Sequence, residues 1–573
     1  MILLSIALAA FAVAGLYASA QAARNVATAH RVAPTGLVVG ALTACFAVPA
    51  VFVVPLVTRT AGYPGASTSL IAVTLPLAAL ALSMRIWVLT RLTRARSLGE
   101  LIAAHYGRAA AVVAALIATA AAIAALTQVL TIAGALTNTL GSEIDPRHGV
   151  YFAALFLIFT AVPGGIATAA RLARLHGVLF VAGMAALVPL VLIAVGGVPG
   201  LIVALDNVGT LLGGPTTGGR GGGDYPIALA IAGTIGTEEG WSSLDILGIQ
   251  IELTGGLLAL LWLPWLAASG DPRPLVRPRA YMLMLGFGTL IVLAAFALGL
   301  AGLSLQSASP GAADILIPIV GPTPWGMALI GLIAVGALHA FSLAILNGAI
   351  SFLRPLWARR GAGPGGALRE LTAARFASLI LILAALLIAL IQPDNLSTWQ
   401  LAAWRMAVLL AMLLGALCFL PTVGATAVVV TLIVGAAVSA GEGTLAGVGS
   451  ASVVAFLLWG RGRRDKLRVQ RVDWHRATAE SLAIRSEERS NGLRIAVLTM
   501  IWLFFALGPG MVIGNDLFGA PYAPQTRWDF AIPSLGVWEI GSWLAGCALF
   551  VYAASILGGR LTRDEWERLS GNG

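Results

Sequence analysis

Several polar side chains sit inside long apolar runs of this 573-residue chain: Thr43, Arg85, Gln128, Glu252, Thr254, His339, Ser342, Asn347 and Arg405. Polar groups are costly in hydrocarbon and are kept there where they bind or pair. His339 and Ser342 are three residues apart, so a helix places them on nearly the same face. A hydroxyl at that point can ligate a hard cation. An imidazole can take up a proton near neutral pH, or it can simply hydrogen-bond a neighbouring helix. His339 and Ser342 are therefore the expected ion-coupling groups. Gln128 can hydrogen-bond a solute or join two helices. Thr43 precedes Pro49 in one apolar run, and Thr254-Gly255-Gly256 precedes Pro264 in another. Both runs read as interrupted helices, whose opened turns offer carbonyls and half-helix dipoles to a ligand. Thr43, Gln128 and Thr254 are the expected substrate-binding groups. Arg85 and Arg405 lie near span ends, where their heads can snorkel.

The elements that must hold these groups follow from composition. Hydrophobic residues make up 59% of the chain and charged ones 10%, with mean hydropathy +0.92. A soluble domain carries about 25% charged residues, so soluble enzymes and nucleic-acid binders are excluded. The chain reads as an all-α polytopic membrane protein. Fifteen spans are expected: 2–23, 34–57, 67–90, 109–138, 149–168, 175–200, 249–268, 280–305, 324–353, 374–391, 401–420, 423–440, 444–459, 495–514 and 534–557. A stretch at 225–236 is too short to span, and 237–245 is the least defined segment. The first run lacks a positive n-region and ends before Arg24, which predicts an uncleaved span with its N-terminus outside.

Loop charge tests this topology. With the N-terminus outside, 29 of the 35 basic residues fall on the cytoplasmic side and four outside. That asymmetry follows the positive-inside rule and places the C-terminus in the cytoplasm. It also explains the pI of about 10.2 without nucleic acid. Cys45, Cys418 and Cys547 lie far apart in apolar runs and form no disulfide or metal pattern. The Gly-rich stretch 216–224 lacks the Gly-Lys-Ser/Thr ending of a phosphate loop. No hydrolase, kinase or metal motif is present, so no enzymatic activity and no cofactor are expected.

The two interrupted spans are the second and the seventh. If the first span is an addition, each opens a unit of five helices, and five is odd, so the second unit runs inverted. A charged stretch at 461–493 then separates residues 1–460 from the two last spans, and it reads as a cytoplasmic linker and domain boundary.

Several segments resemble the sodium:solute symporter family. They are Ser97-Leu98-Gly99-Glu100 through Tyr106-Gly107, Gln128, Gly164-Gly165-Ile166, Leu263-Pro264 with the polar loop after it, and Pro324-Trp325 through Arg354. The last resembles that family's Na⁺-site helix. Residues 494–573 resemble the small subunit of two-component symporters of the acetate-permease-like branch. Matching features there are Ile501-Trp502, Gly508-Pro509-Gly510, Trp538, Gly541, Tyr552 and an arginine-acid tail. The resemblance implies a five-plus-five inverted-repeat core of the LeuT-like kind with flanking helices. It implies Na⁺-coupled uptake of a small organic solute, with Na⁺ as coupling ion. The sequence departs from the family pattern at Ala44, Ala47 and Ala50, at Leu343 beside Ser342, and at Trp265. One hydroxyl ligand is missing, so backbone carbonyls near Leu42–Cys45 are expected to assist Ser342, which makes Cys45 a third ion-coupling position.

The expected function is a secondary active symporter of a small organic solute, of the monocarboxylate class, in the cytoplasmic membrane, coupled to Na⁺ or to H⁺. The alternative is a transport-inactive subunit that keeps the fold and serves as a solute sensor or as a scaffold for a partner membrane protein. Its other partners are the solute and the lipid bilayer.

Overall fold

The computed structural model describes residues 2–24, 34–53, 67–140, 145–194, 196–197, 199, 243–268, 278–304, 324–357, 364–391, 396–420, 422–458, 467–481, 486–507 and 534–557. The Gly-rich stretch, the short apolar stretch at 225–236 and Gly508-Pro509-Gly510 lie outside them.

Among the described residues all regular structure is helical. That is the expected answer where no water is present to bond the backbone. The elements are α1 (Ile2–Arg24), α2 (Pro34–Val48), α3 (Ile71–Thr93), α4 (Leu98–Leu140), α5 (Pro146–Ala194), α6 (Ser243–Leu257), α7 (Leu263–Ala268) and α8 (Pro278–Ser304). They continue as α9 (Pro324–Leu353), α10 (Pro364–Ile391), α11 (Leu396–Phe419), α12 (Ala425–Glu442), α13 (Thr444–Leu458), α14 (Leu467–Ser481), α15 (Ser486–Leu507) and α16 (Ser534–Leu557). Nine described helical segments are long and apolar enough to cross a membrane, and five shorter apolar ones accompany them.

The two interruptions fall where the prolines and glycines predict. α2 widens into a π turn over Pro49–Val53, and α6 joins α7 through a π turn over Leu258–Trp262. Proline lacks the N–H that would bond the carbonyl four residues back. Pro49 thus removes the usual partner of the Cys45 carbonyl, and Pro264 that of the Leu260 carbonyl. Single π turns of this kind recur at functional sites.

Two further breaks require glycine. Gly107 (φ +85°) separates a short stretch, 98–106, from the long apolar part of α4. Gly165 (φ +51°) divides α5 into the two spans expected there. Side chains other than glycine rarely adopt such positive φ. At the second break the Arg375 guanidinium donates twice to the Pro163 carbonyl, at 3.1 and 2.6 Å.

α9 is the central post. It packs on α1, α2, α4, α5 and the Leu258–Trp262 turn. In α3 and α9 83% of the apolar window is buried, against 22% in α1 and 28% in α10, which places the latter two at the rim. α2 packs on α5, α6 on α11, and α3 on α8. α12 and α13 form a hairpin that turns at Gly443 (φ +102°). α15 and α16 pair with each other, joined by Trp502 Nε1–H to the Ser542 carbonyl (2.7 Å), and α16 lies on α3.

The charged stretch 461–493 contains α14, which packs on α3 and α4. Arg471 is fully buried, donates to the Val423 carbonyl, and sits 5.3 Å from the Tyr106 ring centre. Trp474 lies 4.8 Å from His105, ring to ring.

Candidate functional site

α2, both halves of α5, and α9 meet around two buried imidazoles. His339 of α9 and His176 of the second half of α5 approach with Nδ1 of His339 3.1 Å from Nε2 of His176. On its other side, His339 Nε2 lies 2.9 Å from Thr160 Oγ1, in the first half of α5. The Thr160 hydroxyl donates to the Phe156 carbonyl at 2.7 Å. With the Thr160 proton on the Phe156 carbonyl, the Thr160 oxygen accepts from His339 Nε2–H. His339 Nδ1 is then an acceptor, and His176 Nε2–H donates to it. The chain is directed: His176 to His339 to Thr160 to backbone.

Aromatic rings enclose this chain. Phe156 lies 4.5 Å from His339, and Phe11 of α1 lies 5.7 Å from each imidazole. His176, His339 and Thr160 are all buried.

Thr43 of α2 belongs to the same junction. A Cβ placed on Gly177, the residue after His176, would sit 3.4 Å from Thr43 Oγ1. That hydroxyl is buried, and no hydrogen-bond partner for it is found among the described residues. An unpaired buried hydroxyl costs about 1–3 kcal/mol, so it is a natural point for a ligand. Ser342 lies one turn beyond His339, is buried, and donates to the Leu338 carbonyl of its own helix at 2.7 Å. Cys45 is fully buried on α2, two residues after Thr43.

The remaining expected groups lie elsewhere. Thr254 of α6 bonds Thr74 of α3 through their hydroxyls (2.7 Å), and Gln250 Nε2 donates to the same Thr74 oxygen (2.7 Å). Gln128 lies on an exposed face of α4, while its buried neighbour Thr127 donates to the Ile123 carbonyl at 2.8 Å. Asn347 donates to Leu343 of its own helix. Neither Arg85 nor Arg405 is left without contact. The Arg85 guanidinium stands 4.7 Å from the Phe419 ring centre, and Arg405 pairs with Glu252.

His176, Thr160, Thr74 and Gln250 were not among the expected groups. His176 stands in the first turn of the span expected at 175–200, where a polar residue reads as interfacial. The threonines are common helix residues whose bonding is decided by the partner helix. An imidazole in a span is the one signal that points to His176.

The Ser97–Gly107 segment has a structural role at the end of α9. Ser97 Oγ caps the N–H of Glu100 (3.2 Å), and Ser351 Oγ accepts the N–H of Leu98 (3.1 Å). Arg354, just past α9, pairs with Glu100 (3.1 Å) and Glu370 (2.7 Å).

No protein-family model matches the sequence, and no curated protein matches it. Solved structures do. One is a Na⁺-coupled sialic acid symporter in its substrate-bound, outward-open state, with TM-score 0.62 and 16% identity, covering 80% of this chain and 97% of that one. The fold is that of a sodium-coupled symporter. Within this fold α2 widens into a π turn over Pro49–Val53, and α6 joins α7 through another over Leu258–Trp262.

Proposed function

We propose that the chain is a secondary active symporter that carries a small organic solute, of the monocarboxylate class, across the cytoplasmic membrane. The observation that carries this reading is the junction of α2, α5 and α9. It holds an unpartnered Thr43 hydroxyl, Ser342 and a histidine pair inside a symporter fold. The coupling ion is Na⁺ or H⁺. For Na⁺, Ser342 Oγ and carbonyls of the Leu42–Cys45 turn are the oxygen donors, since a cation needs its hydration oxygens replaced. Thr43 is the proposed solute contact; Thr254, bonded to Thr74, and Gln128, on an exposed face of α4, lie away from this junction. The cytoplasmic basic residues support an N-terminus outside and a C-terminus inside. The resemblance of 494–573 to a symporter small subunit supports a fused accessory unit, and α15 with α16 is that unit's helix pair.

The test is thermal stability of the purified protein in Na⁺ against choline at equal ionic strength, with a panel of short monocarboxylates and amino acids. A ligand at about 100 times its Kd adds about 2.7 kcal/mol. A carboxylate-dependent rise in melting temperature is the expected result. No shift from any solute, with Na⁺ or at low pH, contradicts the reading.

A further inference from the structure

We infer that His176 and His339 together form a proton-binding site, and that this pair, rather than a Na⁺ site, supplies the coupling ion of the transporter. The inference rests on the symporter reading above and names its ion.

The geometry carries it. In the neutral state each imidazole gives one N–H, and each N–H has a taker: His176 Nε2–H goes to His339 Nδ1, and His339 Nε2–H goes to Thr160 Oγ1. In this arrangement the Thr160 proton goes to the Phe156 carbonyl. Only one nitrogen of the chain, His176 Nδ1, is left as an acceptor by this arrangement, and a proton must arrive there. It bonds to His176 Nδ1, and the Nε2 proton of His176 moves to His339 Nδ1. His176 is again neutral, now protonated on Nδ1. His339 carries both ring protons and the positive charge. Its two N–H groups donate to Thr160 Oγ1 and to His176 Nε2, so no bond of the chain is lost. One proton is added and one charge appears. A second proton would leave two N–H groups facing each other, so the pair holds one.

Aromatic rings face the pair. Phe156 and Phe11 present rings at 4.5 and 5.7 Å from His339, within the range of cation–π attraction. The titratable and charged groups on the packed helices are few. α1 turns the Phe11 ring to the pair while its titratable Tyr17 is exposed, α2 carries the Cys45 thiol, and Thr43 and Ser342 add neutral hydroxyls. On α5, Arg171 and Arg174 are exposed, and Arg375 of α10 is committed to the Pro163 carbonyl. Among the described residues no carboxylate meets either ring, so a proton on the pair is not neutralised by a fixed anion. A carboxylate solute beside Thr43 is the charge that would complete it. That arrangement makes proton and anion bind together, which is what a symporter requires.

The test uses the full-length protein in lipid nanodiscs with histidine labelled in its ring nitrogens. Nitrogen NMR is recorded between about pH 5 and 8, the range in which imidazoles change charge. The expected result is one shared protonation step that moves the His176 and His339 signals together. Thr160→Val, which removes the Nε2 acceptor, should move that step to lower pH while the protein stays folded. His176→Gln should leave His339 with a single independent step or none. In proteoliposomes, uptake of the carboxylate found above should follow an inward pH gradient without Na⁺, and His339→Gln should lower it by about tenfold or more. Two ring signals that stay unchanged across the pH range, in wild type and in the presence of that carboxylate, overturn the inference. So does uptake that follows a Na⁺ gradient at fixed pH and persists in His339→Gln. Ring titration without transport in any gradient sinks the symporter reading instead and keeps the proton site.

Discussion

Glu252 and Arg405 form an ion pair inside the bundle, with Arg405 Nε 3.3 Å from Glu252 Oε1. The Thr444 hydroxyl donates to the same carboxylate oxygen. The three residues tie α6 to α11 and to the first turn of α13, one turn before the glycines that precede the Leu258–Trp262 turn. The carboxylate is nearly buried and the guanidinium is partly exposed, at 8% and 28%. Removing one partner strands the other. Glu252→Ala should therefore lower stability by about 1–3 kcal/mol, below the range for a fully buried pair because Arg405 still reaches solvent. The double variant Glu252→Leu/Arg405→Leu should recover most of the loss. Melting temperatures of Glu252→Ala, of Glu252→Leu and Arg405→Leu singly, and of the double variant, in detergent, check this. A double variant as unstable as the sum of the singles contradicts the pairing.

Gly348 packs directly on the Leu260 carbonyl, the one that Pro264 cannot bond in the usual way. An added Cβ there meets backbone, which cannot move aside as a side chain can. Gly348→Ala should cost about 3 kcal/mol or more, or prevent folding. Gly336, on the same helix, has nothing within 4 Å of a built Cβ. Gly336→Ala should be neutral or stabilising by up to about 1 kcal/mol. Comparison of their melting temperatures separates close approach to the π turn from a general effect of glycine in α9.

The spans and their interruptions were legible because each rests on local chemistry. A run of about 20 apolar residues must be helical in lipid, and Pro49 and Pro264 disturb the ladder wherever they stand. The site was legible only in part. His339 and Ser342 follow from spacing along one helix, and Thr43 from its place before Pro49. His176 and Thr160 depend on how two halves of α5 fold back across Gly165, which no single segment encodes. The docking of α14 was also hidden. Arg471 in a charged stretch reads as solvated, yet it is buried because the Val423 carbonyl and the Tyr106 face replace water around it.

His475 of α14 gives that docking a pH dependence. Burial holds its imidazole below the usual range, donation to the Leu417 carbonyl opposes this, and the Arg85 and Arg471 cations add to the lowering. A histidine whose pKa is depressed on docking binds fewer protons docked than undocked. Docking is then fully favoured above the ordinary imidazole pKa of about 6.5 and weakens as pH falls below it. Hydrogen exchange of 467–481 should accelerate on going from about pH 7.5 to about pH 5, after correction for the intrinsic rate. His475→Gln should flatten that change. Protection that rises on acidification contradicts the assignment.

The C-terminal pair should be separable from the core by one substitution. A Cβ on Gly546 of α16 would stand 2.5 Å from the Trp502 ring and 3.0 Å from Val73 of α3. Gly546→Leu should undock α16 from α3 at a cost of about 1–3 kcal/mol. Cysteine crosslinking between the two helices, lost in Gly546→Leu and kept in wild type, reads this directly.

The central claim is that the junction of α2, α5 and α9 moves a small organic anion with an ion. Accumulation of labelled short monocarboxylates in proteoliposomes, under an imposed inward Na⁺ gradient or an imposed inward pH gradient, tests it most directly. The account predicts gradient-dependent accumulation above the external concentration, reduced by about tenfold in Thr43→Val or His339→Gln. Folded protein that accumulates none of the panel under either gradient, beyond empty liposomes, would contradict it.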